Sequence, residues 1–186
     1  MKLTIRMTVV LTLIALSSAA LLSALNQWAE PRIEEHRRAR IVQAINDLYP
    51  GEPEHKEIAT YAEDIPIYAC FDATGDTIGF AFQARGTGYS DEIRLMVGLQ
   101  KNLQELNGIF VLEQTETPGL GARITEQDFR RHFEGLHFDP ESPNIGIVDR
   151  DPDDREVEAI TGATISAEAV VNIINRALPQ VKNKLK

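Results

Sequence analysis

The sequence predicts an α+β protein: a single N-terminal transmembrane helix, then one domain built on an antiparallel sheet and closed by a C-terminal helix. Three observations carry this. Between Arg6 and Glu30 there is no charged residue. Four short runs rich in Val, Ile, Phe and Tyr, each bounded by turn residues, follow between residues 65 and 114. The chain then ends in an amphipathic segment with apolar residues at helical spacing. Hydrophobic residues make up 43% of the 186, enough for a folded core and too many for a disordered chain.

The uncharged stretch Met7–Ala29 reaches roughly 34 Å as a helix, against a hydrocarbon core of about 30 Å. Trp28 falls where an interfacial aromatic would sit. The rival reading is a cleaved signal peptide, with Lys2 and Arg6 as its basic start and Ser17–Ala20 or Ser23–Ala24 near the cut. The apolar run is longer than such a segment needs, which favours a retained anchor. Arg32, Arg37, Arg38 and Arg40 follow the span and oppose an exported domain by simple counting. Long domains translocate largely regardless of charge. The expected topology is therefore N-terminus inside, body outside the cytoplasm.

Pro31 is expected to break the chain after the span, and residues 32–48 to form a second helix ended by Tyr49-Pro50-Gly51. Strands are expected at Ile65–Phe71, Thr77–Ala84, Glu92–Gln100 and Gly108–Gln114. Turns are read at Thr74-Gly75-Asp76 and at Asn107-Gly108, the latter a hairpin signal. Thr125-Glu126-Gln127-Asp128 resembles a capping box opening a short helix through Phe133. A polar, Pro- and Asp-rich stretch, Asp139–Glu158, precedes a final helix over about 166–178. The organisation read from this is a tail and anchor (1–29), a helical linker region (30–60) and a folded domain (61–186).

Residues 30–186 hold 17 basic and 28 acidic side chains, a net of −11. An acidic body argues against nucleic-acid binding, which needs a basic face. The lone Cys70 excludes an internal disulfide, a CxxC pair and a thiolate-held iron–sulfur cluster. His36, His55, His132 and His137 form no metal-ligand pair on one helix face, and His132 and His137 read as surface residues. There is no GxSxG, GxxxxGK[ST] or GxGxxG. The acidic run 149–154 fails as a calcium loop, because Asp154 and Ile160 stand where glycine and glutamate are required.

Two segments remain. In Thr161-Gly162-Ala163-Thr164-Ile165-Ser166, small residues lead into a helix N-terminus, where unpaired N–H donors and the helix dipole favour an anion. The plain alternative is an N-cap by Thr164 or Ser166. In Glu116-Thr117-Pro118-Gly119-Leu120-Gly121, Pro118 with Gly119 suits a type II turn. Gly121 there permits close approach of a backbone or a flat ring. A surface hairpin loop is the plain alternative.

ETPGLG at 116–121 and TGAT at 161–164, about 40 residues apart and behind one span, resemble the FMN-binding family. That family includes the G subunit of Rnf-type ion-translocating oxidoreductases and the C subunit of sodium-pumping NADH:quinone reductases. Chain length and the wording ETPGLG-x-x-I are closer to the Rnf G subunit. The resemblance implies FMN joined through its phosphate to the hydroxyl of Thr164 by a dedicated flavin transferase. It places Thr161, Gly162, Ala163 and Ser166 around that phosphate. Glu116, Thr117, Gly119 and Leu120 would lie along the ring, Leu120 covering a face and Glu116 holding the loop or tuning the flavin. Tyr89 would pack near the ring or in the core. The family usually has Asp three residues before the motif, where this chain has Glu158, and Ser where it has Thr161.

The resemblance further implies an electron-carrying subunit of an Rnf-like complex linking ferredoxin and NAD to ion movement. Its partners would be other membrane and redox subunits, its place the inner membrane with the domain on the periplasmic side. No substrate chemistry of its own is expected. Two alternatives stay open from the residues alone: an exported module binding a phosphate ligand noncovalently, and a structural anchor for partner subunits.

Overall fold

The computed structural model describes residues 2–51, 53–62, 65–139 and 143–185. They fall into two compact units, Met1–Arg40 and Ile41–Lys186. Within the expected polar stretch, residues 140–142 lie outside those described.

The first unit belongs to one long helix, α1 (Lys2–Leu48). It is long and apolar enough to cross a bilayer, and none of its most apolar window is buried in the protein. Three of its hydroxyls are satisfied within the helix. The hydroxyls of Thr8, Thr12 and Ser17 donate to the carbonyls of Thr4, Thr8 and Leu13 at 3.0, 2.9 and 2.8 Å. Each such group would otherwise be costly in hydrocarbon. The Arg32 guanidinium lies 4.2 Å from the Trp28 ring centre. Contrary to the sequence reading, Pro31 does not end the helix but sits inside it. An interior proline costs about 3 kcal/mol. The helix formers that follow, Glu34 to Arg40, offset that by extending the same helix.

In the second unit, five strands form an antiparallel meander in the order β1-β2-β3-β4-β5. They are β1 (Glu54–Tyr61), β2 (Ile65–Phe71), β3 (Thr77–Thr87), β4 (Glu92–Gln100) and β5 (Leu106–Glu113). Both sheet faces are covered, which is why β4 is buried along most of its length rather than alternately. On one face, Ala44, Ile45, Leu48 and Tyr49 pack with Cys70, Ala81, Met96 and Leu112. On the other, α3 (Thr164–Leu185) buries Val170, Ile173, Ile174 and Leu178 against Ile67, Phe82, Leu95 and Val97. Each fully buried aliphatic side chain contributes about 1.5–3 kcal/mol.

Five further sequence expectations need correction. The edge strand β1 was not expected: its polar pattern hides it, and Lys56, Glu57 and a bulge between Glu57 and Ala59 blunt the edge. The β4–β5 turn is at residues 101–105, not at Asn107-Gly108, which lies inside β5. The Asn102 side chain builds that turn by accepting the Gln104 N–H at 3.0 Å. Asn107 instead donates its side-chain amide to the Leu48 carbonyl, capping the end of α1. The expected capping box does not form: Glu126 precedes α2 (Gln127–Arg130) without a side-chain cap, and Thr125 Oγ1 donates to the Ala122 carbonyl at 2.8 Å. Arg131–Phe133 continues as a single 3₁₀ turn. Finally, the polar stretch contains two short parallel strands, β6 (Gly146–Val148) and β7 (Glu156–Glu158), and α3 runs through Pro179 to Leu185.

Candidate functional site

The 116–121 loop leaves β5 and folds as the type II turn that its proline and glycine require. Leu120 N–H donates to the Thr117 carbonyl at 3.1 Å, and Gly119 has φ +76°. The second loop turns before α3, where Ala163 N–H donates to the Ile160 carbonyl at 2.8 Å and Gly162 has φ +82°. Because Ala163 spends its N–H in that turn, the donors without an intrahelical partner at the head of α3 are those of Thr164, Ile165 and Ser166.

The two loops meet at Glu116. Glu116 is buried, 4% exposed. Oε1 accepts the N–H groups of Tyr89 at 2.8 Å and Ser90 at 3.0 Å, and Oε2 accepts the Ser166 hydroxyl at 2.7 Å. Glu116 therefore holds the loops together, and a solvated carboxylate is ruled out. Two glycines make the space. A Cβ at Gly88 would overlap Glu116 Oε1, and one at Gly121 would lie 2.6 Å from both Glu116 Oε2 and Ser166 Oγ. What approaches Gly121 closely is thus this carboxylate and hydroxyl.

Above them lies a hollow of about 430 Å³, within the range of roughly 300–1,000 Å³ common for small-molecule sites. It is lined by Tyr89, by Glu116, Thr117, Leu120 and Gly121, and by Gly162 through Ser166. Thr164 is exposed, and among the described residues no hydrogen bond engages its hydroxyl. Ser166 spends its own on Glu116. Neither therefore serves as an N-cap. Leu120, Tyr89 and Ile165 are 48%, 65% and 57% exposed and give the hollow an apolar rim. None of the lining side chains is basic.

Of the nine residues singled out by motif, seven line this hollow. Gly119 sits at the turn tip with open space around it. Thr161 faces a neighbouring hollow of about 260 Å³, with Arg123, His132 and Glu158. Tyr89 is a rim residue, not a core aromatic. Ile165 was missed; its one signal was an exposed-side aliphatic at the start of an otherwise small-residue turn. His132 and His137 lie near carboxylates at 3.8 and 3.5 Å, and no group of three or more metal-type ligands occurs among the described residues. The acidic residues of 149–154 are exposed.

Comparison with known proteins follows the same lines. The chain is 25% identical to the G subunit of the ion-translocating oxidoreductase complex of Methanosarcina acetivorans over 181 residues, 93% of each chain. It is 29% identical to the Escherichia coli protein of the same name over 191 residues, covering 91% of this chain and 86% of that one. Its fold matches the crystal structure of Shewanella oneidensis NqrC with a TM-score of 0.60 at 22% identity, over 67% of this chain and 62% of that one. Residues 88–179, which hold both loops, Tyr89 and most of α3, match the model of the FMN-binding domain. Residues 88–179 thus form a domain similar to the FMN-binding domain family.

Proposed function

We propose that this protein is an electron-carrying subunit of an Rnf-like membrane complex, with FMN joined through its phosphate to Thr164 Oγ1. One observation carries the reading: an exposed, unengaged threonine hydroxyl stands at the head of α3 and opens into a hollow with an apolar rim. The residues present fit the group. A phosphodiester at Thr164 carries one negative charge, and the N–H groups of residues 164–166 with the dipole of α3 supply its counter-field. Leu120, Tyr89 and Ile165 offer apolar surface to a flat ring, while Thr117 offers a hydroxyl to a polar edge. Bound FMN supplies one- and two-electron transfer. The chain's own residues hold and orient it and supply no acid or base for substrate chemistry.

Attachment balances as a group transfer. Thr164 gives up its hydroxyl proton and gains an Oγ–P bond. The donor is a flavin dinucleotide whose phosphoanhydride bond breaks, releasing a nucleoside monophosphate. A flavin transferase supplies the base and the donor site. The uncharged stretch of α1 supports a membrane anchor and leaves ion conduction to other subunits of the complex. The fixed bond suits a domain on the periplasmic side of the inner membrane, where free FMN is not replenished.

Thr164→Ala tests this. Wild-type chain made with a matching transferase is expected to gain the FMN mass on the tryptic peptide Glu156–Arg176, with in-gel flavin fluorescence. T164A is expected to gain neither. Unmodified wild-type protein under those conditions would leave a noncovalent phosphate-binding module as the better reading.

A further inference from the structure

We infer that Glu116 is the positioning residue of the Thr164 site: its carboxylate ties the 88–90 loop to the first turn of α3 and so fixes how Thr164 Oγ1 meets the hollow. The inference rests on Thr164 being the attachment point. Apart from the phenols of Tyr49 and Tyr61 and the Cys70 thiol, the only buried polar or charged side chains among the described residues are Glu116 and Ser166, and they are bonded to each other. A core does not need them. Desolvating a carboxylate is costly, and an apolar pair would fill that volume at lower cost. The arrangement makes sense as alignment.

Three segments that line the hollow converge on this one group. Oε1 holds two consecutive main-chain N–H groups, Tyr89 and Ser90, which fixes the direction of that loop. Oε2 holds Ser166, two residues beyond Thr164 in the same helical turn, which fixes the rotation of that turn. Glu116 itself opens the 116–121 loop, and its own N–H is held by Gln114 Oε1 at 2.6 Å. Glu116 does not contact the Thr164 hydroxyl, so its effect passes through Ser166. A glutamine can keep all three bonds: its carbonyl accepts from Tyr89 and Ser90, and its amide donates to a Ser166 hydroxyl turned to accept. An alanine strands two N–H groups and one O–H.

The test uses unloaded full-length protein in detergent, treated with transferase and flavin dinucleotide, with loading followed by intact mass. E116A is expected to load at least roughly tenfold more slowly and S166A several-fold more slowly, since small misplacements of a reacting atom cost that much. E116Q is expected to restore loading to within about twofold of wild type. In the unloaded chain, amide exchange at Tyr89 and Ser90 is expected to speed up in E116A and not in E116Q. Met96→Ala, in the core on the opposite sheet face from α3, controls for lost stability and is expected to load normally. Should E116A fail to fold, S166A decides. Wild-type loading in E116A or S166A, or slow loading in M96A, overturns the inference while leaving the attachment reading intact. A wild-type chain that takes up no flavin mass overturns both.

Discussion

A methyl group added at Gly121 would meet Glu116 Oε2 and Ser166 Oγ, each at 2.6 Å. Neither can retreat, because both are buried and already bonded. Gly121→Ala is therefore expected to lower stability by about 1–3 kcal/mol, the usual cost of overpacking. Thermal melting of the unloaded protein measures this; a melt equal to wild type would contradict the packing described. The charge on Glu116 has a separate consequence. Its carboxylate lines the hollow in which we propose the flavin to sit. Glu116→Gln keeps the shape, removes a negative charge and so favours the electron-rich reduced state. The midpoint potential of loaded E116Q is expected to lie above wild type in a spectroelectrochemical titration. An equal or lower potential would show that the carboxylate acts by position alone.

The sheet makes stability depend on pH through Cys70. Burial raises its thiol from an ordinary value of 9.0 up to about 12. The folded thiol thus stays neutral where the unfolded one ionises. Its contribution is complete below pH 9.0 and is lost as pH rises toward about 12. Burial likewise pushes the phenols of Tyr49 and Tyr61 upward. Chemical denaturation midpoints are expected to fall through this alkaline window, less steeply in Cys70→Ala; a flat profile would contradict the burial. How legible the elements are in the sequence follows from the same packing. The bounds of β2 and β4 can be read to the residue because they are apolar runs between turn residues. β1 escapes because an edge strand facing solvent carries the composition of a loop. Pro31 misleads because local rules treat proline as a stop, while the helix continues on both sides. Asn107-Gly108 misleads because Asn107 answers to Leu48, 59 residues away. At the site, small residues announce both loops. The role of Glu116 is not legible, since its partners lie 26, 27 and 50 residues distant.

Across the whole chain, the two loops are where we propose the flavin to be held, and the surrounding charge bears on how that site is filled. Residues 41–186 carry 13 basic and 25 acidic side chains, a net of −12. Free FMN is an anion, so it approaches this domain against an unfavourable field that salt weakens. Thr164→Ala protein incubated with free FMN is therefore expected to lose it on gel filtration, and to retain slightly more at high salt than at low. Retention that falls with salt would indicate a basic contact from outside the hollow. The hollow has main-chain amides at its floor and no lysine or arginine in its walls. Such a berth can orient a nucleotide that is already moored but has little means of capturing one from dilute solution. Occupancy would then be settled once, during assembly, and thereafter be indifferent to how much flavin the surroundings contain.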